Sequence, residues 1–148
     1  MPDSRGILAL LKSKMWTDRI SGLYGTDTVR LRHQTQRWAR LVRGFAGQFP
    51  DHALVLLSMP GRTEIGGNHT DHNHGRVLAA AVDLDSVAVC AESRDCTITV
   101  QSEGYPEPFC VSLDRLNPRP GEAGTTSALI RGLAFRLSSL GYRIGGFN

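Results

Sequence analysis

The sequence lacks any long hydrophobic run, and this absence argues against two classes of protein. The first apolar run covers residues 7–11 and is followed at once by Lys12 and Lys14. Such a run is too short for a membrane span, and no small-residue cleavage site follows it as a signal peptide requires. We therefore expect a cytoplasmic protein that has no membrane partner.

Cysteine and clustered charge are also scarce. The three cysteines, Cys90, Cys96 and Cys110, are an odd number without metal-ligand spacing, which predicts small buried hydrophobic residues in a reducing compartment. The net charge is +3 with a pI near 9.0, but the arginines are spread along the chain and no basic run interleaves with aromatic residues. Nucleic-acid binding is therefore not indicated.

What the chain does contain is the composition of one globular domain. It has 148 residues, of which 41% are hydrophobic and 21% charged, and this balance is enough to build a core. The sequence shows no repeats, low-complexity tracts or interdomain linkers. We predict a single domain over residues 1–148, with a helical arm over residues 1–50 and a sheet with one further helix over residues 51–148.

Hydrophobic periodicity predicts three helices, over residues 5–22, 28–48 and 127–140. Gly141 is expected to end the last of them. The middle helix repeats its apolar residues at intervals of three and four, and its arginines fall mostly on another face, which we interpret as a solvated basic face. Those arginines are Arg30, Arg32, Arg37, Arg40 and Arg43.

Strand signals fill the region between the second and third helices. A continuous apolar run predicts a strand over residues 53–57 that is covered on both faces, and residues 76–90 predict one bent strand or two, with a helix over 77–82 left open. Period-two alternation predicts a hairpin with one solvent-exposed face over residues 97–102 and 109–113. Residues 142–148 are predicted to lead into another strand. Helices, then strands, then one helix favour an α+β fold over a doubly wound one.

The densest chemistry lies in residues 60–75, directly after the first predicted strand. This stretch holds four glycines, three histidines, an arginine and two carboxylates. Glycines allow positive φ and close backbone approach, so we expect the stretch to bend around a small ligand. Its donors and acceptors suit the hydroxyls of a sugar, and an arginine beside them suits a sugar phosphotransferase. The candidate residues are Arg62, Asn68, His69 and Asp71.

Two other interpretations of this stretch remain open. Glycine-rich polar segments after strands are most often solvated turns, although this clustering weakens that interpretation. Histidines and carboxylates also ligate Zn²⁺ or Fe²⁺, which allows a metal-dependent hydrolase that uses His69, Asp71, His72 and His74. Because their order has no helix period that brings ligands onto one face, we expect no metal site.

The spacing of the stretch resembles a known family signature. Residues 60–62, 69–71 and 73–78 resemble the galactokinase signature of the GHMP kinase superfamily, in its bacterial form Gly-Arg-Thr-Glu-Ile-Gly-Gly-Asn-His-Thr-Asp-His. The resemblance implies the N-terminal domain of a GHMP kinase, with a mixed β-sheet and helices packed on one side. It also implies that the complete enzyme phosphorylates the anomeric hydroxyl of galactose with ATP and Mg²⁺.

The resemblance assigns roles to individual residues. Arg62 matches the arginine near the anomeric hydroxyl that assists phosphoryl transfer, as a transition-state stabiliser. His69 and Asp71 match residues that hydrogen-bond the hydroxyls of galactose. Asn68 stands where most members carry glutamate, and His72 stands where most carry tyrosine. The resemblance therefore implies a binding site for galactose or a related monosaccharide that is formed by Arg62, Asn68, His69 and Asp71.

The family's second motif is missing from the sequence. No Gly-Leu-Ser-Ser-Ser-type loop for the ATP phosphates occurs, since Ser138 and Ser139 lie within a predicted amphipathic helix without the glycines. The catalytic aspartate of most galactokinases has no match either. We expect a truncated, galactose-binding N-terminal part that binds no ATP or Mg²⁺, is inactive alone and partners the remainder of a galactokinase chain. The alternative is a non-catalytic sugar-binding module, like galactokinase-like sensors, or a decayed gene product.

Overall fold

The computed structural model describes residues 1–50, 52–67 and 70–148, with only the backbone described for Asp71. These residues form two compact units, Met1–Val89 and Cys90–Asn148. The elements of the first unit are α1 (Ser4–Leu10), α2 (Lys14–Tyr24), α3 (Thr28–Gln48), β1 (Leu54–Gly66) and most of β2 (Leu78–Ala91), with a 3-10 helix at Thr70–Asn73 between the strands. Those of the second are the end of β2, β3 (Thr97–Val100), β4 (Phe109–Ser112) and α4 (Thr126–Ser139).

Polar caps set the boundaries of the first three helices. The side chains of Asp3, Ser13 and Asp27 each accept a hydrogen bond from a backbone N–H in the first turn of α1, α2 and α3, which satisfies a donor that the helix itself cannot. The predicted single helix over residues 5–22 is therefore two helices, because Ser13 caps a new one. The helix predicted over residues 28–48 is confirmed.

The core of the first unit lies between its helices. Trp16 and Trp38 meet edge to face with ring centroids 5.9 Å apart, an arrangement that aromatic pairs favour. The Trp16 indole N–H donates to Thr35 Oγ1 at 3.1 Å, and Ile20 and Val42 are almost completely buried. Helices α2 and α3 are thus joined by both apolar contact and a hydrogen bond.

Strands β1 and β2 pair with each other as a two-stranded sheet. A Cβ added to Gly61 would contact Leu84, and one added to Gly67 would meet Arg76, so the strands run antiparallel. The predicted strand over residues 53–57 continues to Gly66, and residues 78–91 form one strand rather than two. Coverage of β1 on both faces was predicted wrongly, since Leu57 is 47% exposed.

The second unit contains the predicted hairpin. Strands β3 and β4 pair antiparallel, with Ile98 opposite Val111, and both of these side chains are buried. Residues 142–148, which were predicted to approach another strand, form isolated bridges rather than a strand, and residues 146–148 exchange backbone hydrogen bonds with the segments around Ala91 and Thr99. Phe147 bridges antiparallel to Glu92 and parallel to Ile98. The prediction of an α+β fold is confirmed.

The cysteines only partly match their predicted role. All three are free thiols; Cys90 is half-buried, whereas Cys96 and Cys110 are exposed. Burial raises the pKa of the Cys90 thiol, which disfavours its reactive thiolate form. The prediction of buried hydrophobic cysteines is therefore wrong for Cys96 and Cys110.

A buried cation fixes the loop before α4. The Arg131 side chain is 3% exposed and donates to both carboxylate oxygens of Glu122, at 2.8 and 3.0 Å. A third bond runs to the carbonyl of Arg115 at 2.7 Å. The hydrogen bonds from Arg131 lower the pKa of the Glu122 carboxyl. The sequence showed only an arginine between apolar positions, which gave no sign of this burial.

The apolar stripe of α4 faces solvent. The exposed leucines of this stripe are Leu129, Leu133, Leu137 and Leu140, all at least 43% exposed. The residues that α4 buries are Arg131 and Ala134. A contiguous exposed apolar face of this kind favours association.

We expect unequal effects from removing the two partners of the buried ion pair. Glu122→Ala leaves the buried Arg131 cation without its carboxylate and should strongly destabilise the second unit. Arg131→Leu leaves the more exposed Glu122 beside Arg119, whose Nη1 lies 3.6 Å from Glu122 Oε1, and should destabilise the unit less. Amide hydrogen exchange within α4 measures both effects. If the two variants lost equal protection from exchange, the contribution of the ion pair to stability would not depend on burial of the cation.

We also expect the chain to self-associate through α4. Leu133→Lys places a charge in the centre of the exposed leucines and should lower the weight-average mass measured by sedimentation at tens of micromolar protein, on the order of the concentrations at which exposed patches associate. Ser138→Lys adds the same charge to the same helix and serves as the control. A wild-type chain that sediments as a monomer throughout would contradict this expectation.

Candidate functional site

The predicted chemical stretch lies at the far end of the β1–β2 hairpin. Residues 60–66 form the last part of β1 instead of the predicted bend. Arg62 and Glu64 share one face of this strand because side chains alternate along it, and both are exposed. The Arg62 guanidinium is therefore accessible to a ligand at the hairpin tip.

The bend itself comes after the strand and depends on two glycines. Gly67 has φ of +104°, and a Cβ there would approach the Arg76 carbonyl to 2.6 Å, so only glycine fits without a shift. A Cβ at Gly75 would collide with Thr70. The Thr70 N–H donates to the Gly67 carbonyl at 2.8 Å, and the Gly75 N–H donates to the Thr70 carbonyl at 2.7 Å. The turn is closed by backbone bonds at both ends.

A third residue of this turn has an unusual backbone. His74, with φ of 59°, lies in the left-handed region, which is uncommon for residues other than glycine but is adopted more often by asparagine, aspartate and histidine than by the rest. It directly follows the 3-10 helix at Thr70–Asn73 and reverses the chain toward β2. The expected positive φ is therefore found at Gly67 and His74 rather than at all four glycines of the stretch.

The predicted site residues are only partly described. Arg62 lies on β1 as stated above, and the backbone of Asp71 lies in the 3-10 helix. Asn68 and His69 lie outside the described residues, and so does the side chain of Asp71. The grouping of these four residues around a sugar therefore stays a prediction.

A polar cluster that the sequence analysis missed lies nearer the base of the hairpin, around Asp85 of β2. The Asp85 carboxylate accepts hydrogen bonds from Tyr24 Oη at 2.6 Å, Ser58 Oγ at 2.5 Å and Arg37 Nη1 at 2.5 Å. Arg37 Nη2 also donates to the Asp85 carbonyl at 2.8 Å. Side chains from α2, α3 and β1 thus converge on one carboxylate of β2.

The protonation of Asp85 reflects these contacts. Burial raises the pKa of the Asp85 carboxyl, but hydrogen bonds from Ser58, Tyr24 and Arg37, with the Arg37 charge, outweigh burial and lower it below the ordinary 3.8. The ionised form therefore stabilises the fold above about pH 4, and this stabilisation is lost as the pH falls through the lowered pKa. Burial, followed by the hydrogen bond to Asp85, raises the pKa of Tyr24.

A second ion pair lies beside this cluster and is exposed. Arg30 Nη1 lies 2.6 Å from Asp83 Oδ2, and both side chains are more than half exposed. Such pairs contribute little to stability. The face of α3 that was predicted to be solvated therefore supplies Arg30 and Arg37 to β2, and the prediction is wrong for Arg37, whose side chain is 25% exposed.

The first unit also contains a cleft of about 550 Å³. Its lining is largely apolar, with Trp16, Leu23 and Leu56 among the walls, and it does not include Arg62. Its acidic groups already have partners, since Asp85 receives its three donors and Asp83 pairs with Arg30. We do not assign this cleft to the sugar.

The described residues also bear on metal sites and membrane spans. Across residues 1–50, 52–67 and 70–148, no three histidine, cysteine or acidic side chains are placed to hold a metal ion. The metal-binding alternative used His69 and Asp71, so part of it lies outside this description. In the same part of the chain, no helix has the length and apolar character needed to cross a membrane.

Comparison with known proteins gives three findings. A family model described as the galactokinase galactose-binding signature matches residues 43–92. The galactokinase of Pyrococcus furiosus is 32% identical over 92 residues, which are 62% of this chain and 24% of that protein. The crystal structure of Lactococcus lactis galactokinase complexed with galactose matches with a TM-score of 0.66 at 28% identity, over 75% of this chain and 29% of that one.

The matched region contains the hairpin described above. Residues 43–92 run from the end of α3 through β1, the glycine turn and β2. The chain spans less than a third of the length of the two relatives it matches. The structural match confirms that its α+β arrangement is that of a GHMP kinase N-terminal domain. The predicted resemblance is confirmed: residues 43–92 carry the galactokinase galactose-binding signature, and the chain resembles the N-terminal part of a galactokinase.

Proposed function

We propose that this chain is the galactose-binding part of a galactokinase, whose complete form transfers the γ-phosphoryl group of ATP to the anomeric hydroxyl of galactose. The observation that carries the proposal is the position of the signature, which covers the β1–β2 hairpin and its glycine turn. An exposed arginine on β1 and a turn closed by backbone bonds are suitable parts for a small polar ligand. The galactose in the matched Lactococcus lactis structure supports the choice of sugar.

Each proposed site residue has a chemical role. Arg62 carries a permanent positive charge and would stabilise the negative charge that develops during phosphoryl transfer. Asp71 would accept hydrogen bonds from sugar hydroxyls, and His69 would donate or accept one. Asn68 supplies a neutral amide where a carboxylate is usual in the family. It would still accept a hydroxyl hydrogen bond, but without charge assistance.

Phosphoryl transfer requires parts that this sequence does not contain. We propose that ATP and Mg²⁺ bind to the remainder of the galactokinase chain, since no Gly-Leu-Ser-Ser-Ser-type loop occurs within these 148 residues. The chain alone is then expected to bind sugar without phosphorylating it. A cytoplasmic location follows from the need for ATP and is part of the same proposal.

Calorimetric titration of the chain tests the sugar site. We expect galactose to bind and glucose to bind more weakly, because the two sugars differ in the orientation of one hydroxyl. Asp71→Ala should reduce the galactose affinity by about tenfold or more, the size expected when a charged hydrogen-bond acceptor is removed. Arg62→Ala should weaken binding less, because its main role is in the transition state.

Asp114→Ala is the control for this titration. It removes an exposed carboxylate outside the matched residues and should leave galactose affinity unchanged. No heat of binding from the folded wild-type chain would refute the proposed sugar site. Binding that persists without transfer when ATP and Mg²⁺ are added to the complete polypeptide would favour the alternative, a non-catalytic sugar-binding module.

A further inference from the structure

The hairpin that carries the signature has little apolar support near its tip. Isolated two-stranded hairpins are at best marginally stable in water. The large apolar residues of the outer half are exposed, namely Met59 at 68%, Ile65 at 62%, Leu78 at 61% and Leu84 at 76%. Burial in the described structure therefore does not hold this half of the hairpin in place.

The polar cluster around Asp85 lies where this unsupported half begins. Within the hairpin, Ser58 of β1 donates to Asp85 of β2 and so links the two strands by a side-chain bond. From outside, Tyr24 and Arg37 donate to the same carboxylate and connect it to α2 and α3. The Asp85 side chain is 6% exposed, so water competes little for these bonds.

The neighbouring pair of Arg30 and Asp83 does not have these properties. Asp83 lies two residues away on the same strand, and therefore on the same face, but its side chain is 59% exposed. It accepts a hydrogen bond from Arg30 of α3, at 2.6 Å. Asp83 is thus a matched carboxylate on the same strand that contributes much less than Asp85 to holding the hairpin in place.

We propose that Asp85 is a positioning residue for the sugar site, which holds the β1–β2 hairpin in register and against the helical arm so that its tip is ordered before sugar binds. This inference rests on the proposed function. Asp85 lies on β2, two residues farther from the turn than Asp83. It acts through the backbone, without touching the sugar. Order at the tip matters because a binding loop that must become ordered on binding loses affinity.

Asp85→Asn tests this role in the full chain. The substitution keeps the shape of the side chain but removes the charge and presents an amide donor to Arg37. We expect amide hydrogen exchange in residues 62–66 and 76–80 to accelerate by about tenfold or more and galactose affinity to fall by a similar factor. Exchange in the centre of α3 should not change. Ser58→Ala, which removes one bond and keeps the ion pair, should give the same pattern more weakly.

Asp83→Asn is the matched control, since it removes the same charge from the same strand at an exposed pair. It should leave both the hairpin exchange and the galactose affinity unchanged. The proposal is overturned if Asp85→Asn binds galactose like the wild type. It is also overturned if exchange rises equally in α3, since that result would indicate general destabilisation of the first unit.

The two proposals fail in different ways. A folded wild-type chain that does not bind galactose removes the proposed function and, with it, the role of Asp85 in sugar binding. Wild-type binding together with unaffected binding by Asp85→Asn and Ser58→Ala removes only the positioning role. If Asp85→Asn does not fold, Ser58→Ala decides, because it leaves the contacts of Tyr24 and Arg37 in place.

Discussion

One buried carboxylate links four elements of the first unit. Burying a charge is unfavourable unless hydrogen bonds and an opposite charge replace the lost water, and Asp85 receives both. Because its partners come from three other elements, this one side chain connects α2, α3 and β1 to β2. The strand residues between it and the glycine turn are mostly exposed and belong to the region that matches the galactokinase galactose-binding signature.

Sequence periodicity predicted the elements that are formed by residues close together in the chain. The helix over residues 28–48 and the hairpin over residues 97–113 follow from periodicity, since each buries one face. Residues 60–66 were predicted as a bend because proline and glycines dominate there, yet pairing with β2 extends them. The spacing of the α4 leucines predicted a helix with one apolar face, but this spacing does not show whether another element covers that face.

The candidate site was predicted from its motif and not from its surroundings. The signature is a continuous stretch, so its residue types and spacing are readable in order along the chain. The contacts of Asp85 join residues 27, 48 and 61 positions apart, and no period connects such partners. The one available signal was a pair of aspartates, Asp83 and Asp85, two residues apart in a mostly apolar strand.

The last three residues have a consequence for how the protein is handled. Asn148 exchanges two backbone hydrogen bonds with Ala91, and Phe147 exchanges two with the strand that contains Thr97 and Thr99. This short segment therefore bridges two others by backbone hydrogen bonds, and trimming it would leave the backbone groups of both neighbours free to pair with other chains. An affinity tag placed at this end needs a spacer that leaves those three residues free to hydrogen-bond.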